Sequence, residues 1–459
     1  MQITYKFVDH IIGTKFEDLG GDVVDSVKKQ VLDTLATALG GGSCEGIREV
    51  YEIVKDWGGK KESSIINFGG KFPAPNAVMV NAAMAHALDY DDTHEVARIH
   101  CAVVSVPIAL AVAEAVGGVS GKELITAIAL GVDFHCRMGM AAKIARPNVL
   151  QGGWHFTTMF GYLAATAVAG RLYGLDREKL INALGIAYHQ TSGNLQCISE
   201  GALTKRMGPG LAARAGILSA QMASRGITGA KDIIESEIGI FKLYHAGYDE
   251  VTLLEGLGKK FASTGTSFKP YPCCRINHPF LDGMLKVVID NDIRPEDVIE
   301  IVPETPTVAA LLCEPVEAKT KPKNIVDSQF SLPWSLACAV VRRKAGLDEY
   351  SNEAIKDPAL IDMALRVKPH LDDSIVASLE TPVKIAVKTK RGDFTATTSG
   401  HVLGSPENSL SLDFLEDKFM NCAAHAIKPL TQKDMKKVVS SIRNLERAED
   451  AGAVIKPLC

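Results

Sequence analysis

The feature that most constrains what this chain can fold into is its supply of small residues at helical spacing. Gly161, Ala164, Ala165, Ala167 and Ala169 share one segment, and Cys101 to Ala113 is the longest apolar stretch, rich in alanine and valine with Ser105 and Pro107 inside it. Helices with such faces approach one another closely, so they belong in a buried bundle. From Asp22 to Leu39, Val23, Val24, Val27, Val31, Leu32, Leu35 and Leu39 fall at helical spacing, and Gly40-Gly41-Gly42 is expected to end that helix. Residues 103–139 and 158–190 each read as helix, turn, helix. Their turns carry related signals, Ser120-Gly-Lys-Glu123 as a capping box and Asp176-Arg-Glu-Lys179 before Leu180. The expected class is mainly α.

The texture changes near residue 265. Gly265-Thr-Ser-Phe-Lys-Pro-Tyr-Pro272 is held extended by its two prolines. One helix is expected from Pro279 to Asp290, then short strands at Val298 to Val302 and Pro382 to Thr389, with a turn at Arg391-Gly392-Asp393 and a return strand at Phe394 to Thr397. Helical pattern resumes from Leu410 to Leu445. A length of 459 residues suits two or three domains. We therefore expect a discontinuous helical domain, residues 1–266 and 403–459, and a smaller α+β domain, residues 267–402.

Charge excludes some partners. Lysine and arginine total 50 against 54 acidic residues, a formal net charge of −4, so no electrostatic footprint for nucleic acid is expected. The Cys101 to Ala113 stretch stops at Glu114, short of the ~20 residues of a membrane span. The first ten residues lack the pattern of a secretory signal. Ten scattered cysteines without C-x2-C spacing read as reduced thiols. A soluble cytoplasmic protein is expected, with a small molecule as its partner.

The richest chemistry lies between Asn81 and His100, where His86, Asp89, Tyr90, Asp91, Asp92, Thr93, His94 and Glu95 crowd together. Taken as a helix, His86, Asp89, Tyr90 and Thr93 share one face. A solvated acidic helix end is the bland reading, and the apolar flanks argue against it. One functional reading takes Asp91-Asp92-x-x-Glu95 as magnesium ligands for a diphosphate. That chemistry needs a second acidic helix and an aromatic pocket, and only 6% of the residues are aromatic. The other reading pairs an aspartate with a histidine that moves protons. His155 precedes a helix expected to start near Phe156. Lys205 and Arg206 precede another, expected to hold Pro209 near its first turn, and make an anion cradle with its N–H groups. Lys269, Cys274 and Arg275 form a third cluster on the stiff segment. His135 and His189 are expected to satisfy hydrogen bonds in the core. No Walker or Rossmann pattern is present in the sequence, and the cysteine spacing suits neither a structural zinc nor an iron–sulfur cluster.

Asn81-Ala-Ala-Met-Ala-His-Ala-Leu-Asp-Tyr-Asp-Asp-Thr-His94, Gly153-Trp-His155, Thr204-Lys205, Lys269-Pro-Tyr-Pro-Cys-Cys274 and Gln329-Phe-Ser-Leu-Pro-Trp334 follow one another in the order of the MmgE/PrpD family, which the chain resembles from about residue 5 to 450. That family includes 2-methylcitrate dehydratase, cis-aconitate decarboxylase and iminodisuccinate epimerase. The resemblance implies a helical domain with an α+β lid, a homodimer, and a cleft between domains that works without a metal or an organic cofactor. It also implies active-site positions at Asp89, Thr93, His100, His155, Lys205 and Lys269.

Three departures stand against a simple transfer of the decarboxylase activity. Cys101-Ala102 follows His100 where many members have Pro-Ser, Cys274 stands where the decarboxylase branch has a histidine, and Trp334 falls near a tyrosine of that branch. The expectation is a lyase on a di- or tricarboxylate, with dehydration of a 2-methylcitrate-like acid ahead of decarboxylation and epimerisation. His100 and His155 would divide acid and base duties, Asp89 would fix one imidazole tautomer, and Lys205 and Lys269 would stabilise an enolate. Thr93, Arg206, Cys274 and Arg275 would contact substrate. On this reading Asp89→Asn is more damaging than Asp91→Asn. The alternative of another class is a non-catalytic helical interaction module.

Overall fold

Glycine decides how closely the helices meet. In the computed structural model, which describes residues 3–146, 149–375, 382–398 and 401–459, the chain runs through α1 Ile3–Gly13, α2 Gly21–Gly41, α3 Ile47–Trp57, α4 Ala74–His86, α5 Ala102–Val116, α6 Gly121–Ala141, α7 Phe156–Met159, α8 Gly161–Leu172, α9 Arg177–Gln190, α10 Gln196–Ser199 and α11 Thr204–Ser224. A Cβ added to Gly210 of α11 would stand 2.3 Å from the Met79 carbonyl of α4, and one at Gly216 would stand 2.5 Å from the Ala165 Cβ of α8. The small residues are thus contact surfaces. The helix α2 ends within Gly40-Gly41-Gly42, as expected, and close packing is met there too. Gly40 and Gly41 stay helical, because Gly41 packs where a Cβ would lie 2.0 Å from the Met84 carbonyl.

By its contacts the chain divides into two units, Met1–Cys197, Leu203–Ser267 and Ser411–Cys459 in the first, Ile198–Ala202 and Phe268–Leu410 in the second. In the first unit the two helix-turn-helix segments are present. Ser120 accepts from the Glu123 N–H and Asp176 from the Lys179 N–H. The box at Ser120 is only half made, since the Glu123 carboxylate is taken by Arg171, with Nε and Nη2 donating at 2.7 and 2.9 Å. Helix α6 is long and apolar enough to cross a membrane, which the sequence reading passed over, but 94% of its apolar window is buried inside the protein, as in a core helix. All ten cysteines are free. His135 is buried in α6, whereas His189 is exposed at the end of α9 and is no core residue.

The second unit holds the strands expected from alternation and one that was not. Strands β3 Val298–Pro306, β4 His370–Asp372, β5 Lys384–Thr389 and β6 Gly392–Thr397 form a sheet in the order β4-β3-β5-β6, with β4 parallel to β3 and the other pairs antiparallel; a separate two-residue ladder, β1 Ser63–Ser64 with β2 Lys71–Phe72, lies in the first unit. Ile385 and Val387 of β5 point into a core with Ile301 and with Trp334 and Leu336 of the helix Leu332–Arg342. Strand β4 is three residues long, too short to show alternation. Trp334 is fully buried and donates from Nε1 to the Glu349 carbonyl at 3.0 Å. It is a core residue.

Candidate active site

Helix α4 stops at His86, so the expected single helical face through Thr93 does not form. The reason is Asp89, whose backbone is left-handed at φ +50, a conformation that aspartate tolerates better than most residues. Residues 87–101 instead form a closed loop. Thr93 bridges Ser267 in both backbone directions, at 2.8 and 2.7 Å, and His94 and Ile99 bridge each other. At the loop's end Asp92 accepts from the Ala102 N–H at 3.1 and 3.2 Å and from the Cys101 thiol at 3.0 Å, which caps the start of α5. Cys101 and Ala102, departures from the family pattern, are thus both partners of Asp92.

Closing the loop sets two histidines against one carboxylate. His86 Nδ1 is hydrogen-bonded to Asp91 Oδ2 at 2.8 Å, and His100 Nδ1 stands 2.8 Å from the same oxygen. The two rings meet edge to face with centroids 4.8 Å apart, and His155 stacks on His86 at 5.9 Å. Asp91 and His86 are fully buried, while the His100 side chain keeps 16% of its surface exposed. His155 stands at the residue before α7, as expected from its position, and its Nδ1 meets the Thr158 hydroxyl at 2.8 Å. The His100 N–H donates to the Thr157 hydroxyl at 3.0 Å, tying the two histidine segments together.

Charge in the cluster is opposed by burial. Burial drives Asp91 toward the neutral acid, but the imidazoles of His100 and His86 outweigh it and hold the carboxyl well below its usual range. Burial, then the Lys205 ammonium, brings His86 down to about 4 despite Asp91. His155 is pushed well below its ordinary value, first by burial and then by His86, Lys205 and His100, so it is a neutral imidazole at neutral pH.

Lys205 and Arg206 lie in the first turn of α11, where cations oppose the helix dipole. The helix starts at Thr204, so Pro209 falls inside it rather than near its start. Close contact of α11 with α4 brings Lys205 to Asp89, and the two form a buried ion pair. The anion beside Lys205 in the expected cradle is thus the protein's own Asp89, which also stands close enough to His155 to favour its charged form. Asp91 is the carboxylate at the imidazoles. Arg206 is buried and donates to the Glu45 carbonyl at 2.9 Å. Thr93 presents a buried Oγ1 with no partner among the described residues.

Lys269, Cys274 and Arg275 belong to the second unit. Lys269 is 1% exposed, the Cys274 N–H donates to the Gln329 carbonyl at 3.0 Å, and Arg275 donates to the Leu403 carbonyl at 2.8 Å. Sequence reasoning did not assign His86 and Asp91 to the site. Their five-residue separation carries meaning only once α4 is known to end between them.

The acidic motif does not behave as a magnesium site. Asp91 serves the histidines, Asp92 caps α5, and Glu95 accepts from the Ser267 hydroxyl at 2.8 Å, so the three carboxylates have three different partners. His86, Asp91 and His100 offer donor atoms within 4.8 Å of one another. Both nitrogen-to-oxygen separations are 2.8 Å, the spacing of N–H···O contacts, whereas ligands ~2.1 Å from one metal stand roughly 3.0–3.4 Å apart. As placed, His86 is hydrogen-bonded to Asp91 and His100 Nδ1 faces the same oxygen at contact distance, an acid–base cluster.

Such a buried aspartate–histidine cluster beside a lysine is equipment for proton transfer. The chain matches the MmgE/PrpD N-terminal domain over residues 5–251 and the MmgE/PrpD C-terminal domain over residues 271–444, and it belongs to that family. It is 26% identical over 371 residues to a cis-aconitate decarboxylase of Aspergillus terreus, covering 77% of this chain and 75% of the relative. A human cis-aconitate decarboxylase is 25% identical over 468 residues, covering 98% and 93%. The cis-aconitate decarboxylase-like protein oryM of Aspergillus oryzae is 23% identical over 478 residues, covering 99% and 96%. Family and relatives together indicate a lyase-type enzyme.

Proposed function

We propose that this enzyme acts on a di- or tricarboxylate by moving a proton at a carbon next to a carboxylate, with His100 as the group that carries it. The observation behind the reading is the placement of His100. Its Nδ1 faces the buried Asp91 carboxylate while the ring retains some exposure, so the other ring nitrogen is left for substrate. An ionised Asp91 stabilises the imidazolium as it forms. His155, neutral at working pH, is the second proton-transfer group, and Lys205 with its Asp89 counter-ion supplies positive charge where an enolate develops. The family motif adds Lys269 to the proposed cations.

The relatives move the finer reading from dehydration toward decarboxylation of a cis-aconitate-like acid. In that reaction the C–C bond to one carboxylate breaks, carbon dioxide leaves, and its bonding pair is taken up by the remaining conjugated carboxylate until a proton from imidazolium closes the step. Dehydration of a 2-methylcitrate-like acid is the second reading, favoured by the presence of two histidines, one to take a proton and one to protonate the leaving hydroxide. NMR of the protein with a panel of di- and tricarboxylates in deuterated water separates them. Carbon dioxide release with one deuterium gained marks decarboxylation, loss of water marks dehydration, and deuterium exchange with inversion marks epimerisation. No turnover of any of the acids, together with no pH-dependent binding, overturns the proposal in favour of a non-catalytic module.

A further inference from the structure

The segment from Ser411 returns to the first unit and contributes the helix Leu412–Ala424, whose Lys418 has only 1% of its side chain exposed. Its Nζ donates to Asp33 Oδ1 of α2 at 2.6 Å and to the Tyr90 carbonyl at 2.6 Å, and it stands 3.7 Å from the centroid of the Tyr90 ring. One ammonium thus grips both the main chain and the side chain of one residue. A buried ion pair contributes little net stability compared with well-packed apolar side chains, so stability alone does not explain it.

Tyr90 is the residue between Asp89, left-handed and paired with Lys205, and Asp91, which serves both histidines. The peptide is planar, so fixing the Tyr90 carbonyl fixes the plane that carries the Asp91 N–H and sets the origin of the Asp91 side chain. A carboxylate at 2.8 Å from two imidazoles is sensitive to shifts of a few tenths of an ångström. We propose that Lys418 is a positioning residue for the acid–base cluster: through the Tyr90 carbonyl it holds Asp91 in place between His86 and His100. This rests on the reading of Asp91 and His100 as the proton-transfer pair.

Three variants test it. Lys418→Met leaves Asp33 buried without that partner and is expected to lose stability. Lys418→Met/Asp33→Asn removes both charges and should regain much of the lost thermal stability, while Asp33→Asn alone keeps the grip on Tyr90. With cis-aconitate as the probe, the double variant should lose about 30-fold or more in kcat with KM within about threefold of wild type, and Asp33→Asn should stay within about fivefold in kcat. A readout that needs no turnover is the downfield proton NMR signal of imidazole N–H groups facing Asp91, which should shift or disappear in the double variant and persist in Asp33→Asn. A stable double variant with those signals unmoved overturns the proposal, as does one whose kcat stays within about threefold of wild type. If wild-type protein turns over none of the polycarboxylates, the proposed function fails, and the imidazole signals alone still decide whether Lys418 positions the cluster.

Discussion

Two buried acid–base clusters sit in the same helical unit and are built on opposite plans. In one, Asp133 and Arg137 lie a turn apart on α6. Arg137 donates to Asp133 at 2.8 Å and to the carbonyls of Leu253, Glu255 and Lys260, while the other Asp133 oxygen accepts from the Ala262 N–H at 2.8 Å. In the other, Asp91 shares one oxygen between two imidazoles, and Asp91 Oδ1 and His86 Nε2 are buried with no partner among the described residues. The first cluster spends its polar capacity on holding loops. The second leaves capacity unspent in a place where an unpaired group costs about 1–3 kcal/mol, which a fold retains only where something else is gained.

The comparison predicts effects of different kinds. The largest should come from His100→Gln, which keeps a hydrogen-bonding side chain but cannot cycle a proton; kcat should fall by about 10²–10⁴ with the melting temperature nearly unchanged. Should His155→Gln abolish turnover while His100→Gln spares it, the two histidines exchange roles. Asp91→Asn should cost more activity than Asp89→Asn, the reverse of what the sequence pattern suggests, because Asp91 touches the imidazoles and Asp89 touches Lys205. Steady-state kinetics on both variants decide the order. Lys205→Met should lower kcat/KM by on the order of 10²-fold, and a change below about threefold would remove it from the site.

Arg137→Met should do the opposite of His100→Gln. It leaves Asp133 buried without its counter-charge and should cost about 3–5 kcal/mol in stability, read by denaturant unfolding, while the folded fraction keeps its kcat. Activity that survives EDTA is expected as well, since the acidic motif does not converge; strict dependence on added Mg²⁺ would restore the diphosphate reading.

At neutral pH the smallest effect is that of the buried histidines, which appears only on acidification. Burial lowers His86 to about 4 and His135 to about 3, against 6.5 when unfolded. The unfolded chain binds these protons first, so their neutral burial costs nothing above pH 6.5, and stability is lost as pH falls from 6.5 toward 4, by at most about 1.4 kcal/mol per pH unit for each histidine. Replacing His135 with asparagine should reduce the acid slope of the melting temperature without the loss of kcat seen at His100.

Much of this was legible in the chain. Small-residue helices, the caps at Ser120 and Asp176, and the β5–β6 hairpin follow from local pattern, because each depends on residues within a few positions of one another. The family motifs marked the right stretch for the acid–base cluster, since His86 to His100 is dense in groups that packing does not explain. What pattern carried no sign of was the packing role of Gly40 and Gly41 at the end of α2, and the pairing of Asp89 with Lys205.

Sequence alone determined the mainly helical class, the burial of the small-residue bundle and the identity of the histidines and lysines available for chemistry. Tertiary structure decided which carboxylate serves which base. That choice depends on one left-handed residue ending a helix, on α11 meeting α4 closely enough to bring Lys205 to Asp89, and on Lys418, 328 positions from Tyr90, reaching back into the loop. Pairings of that kind are set by the relative placement of distant backbones, and local periodicity carries no record of them.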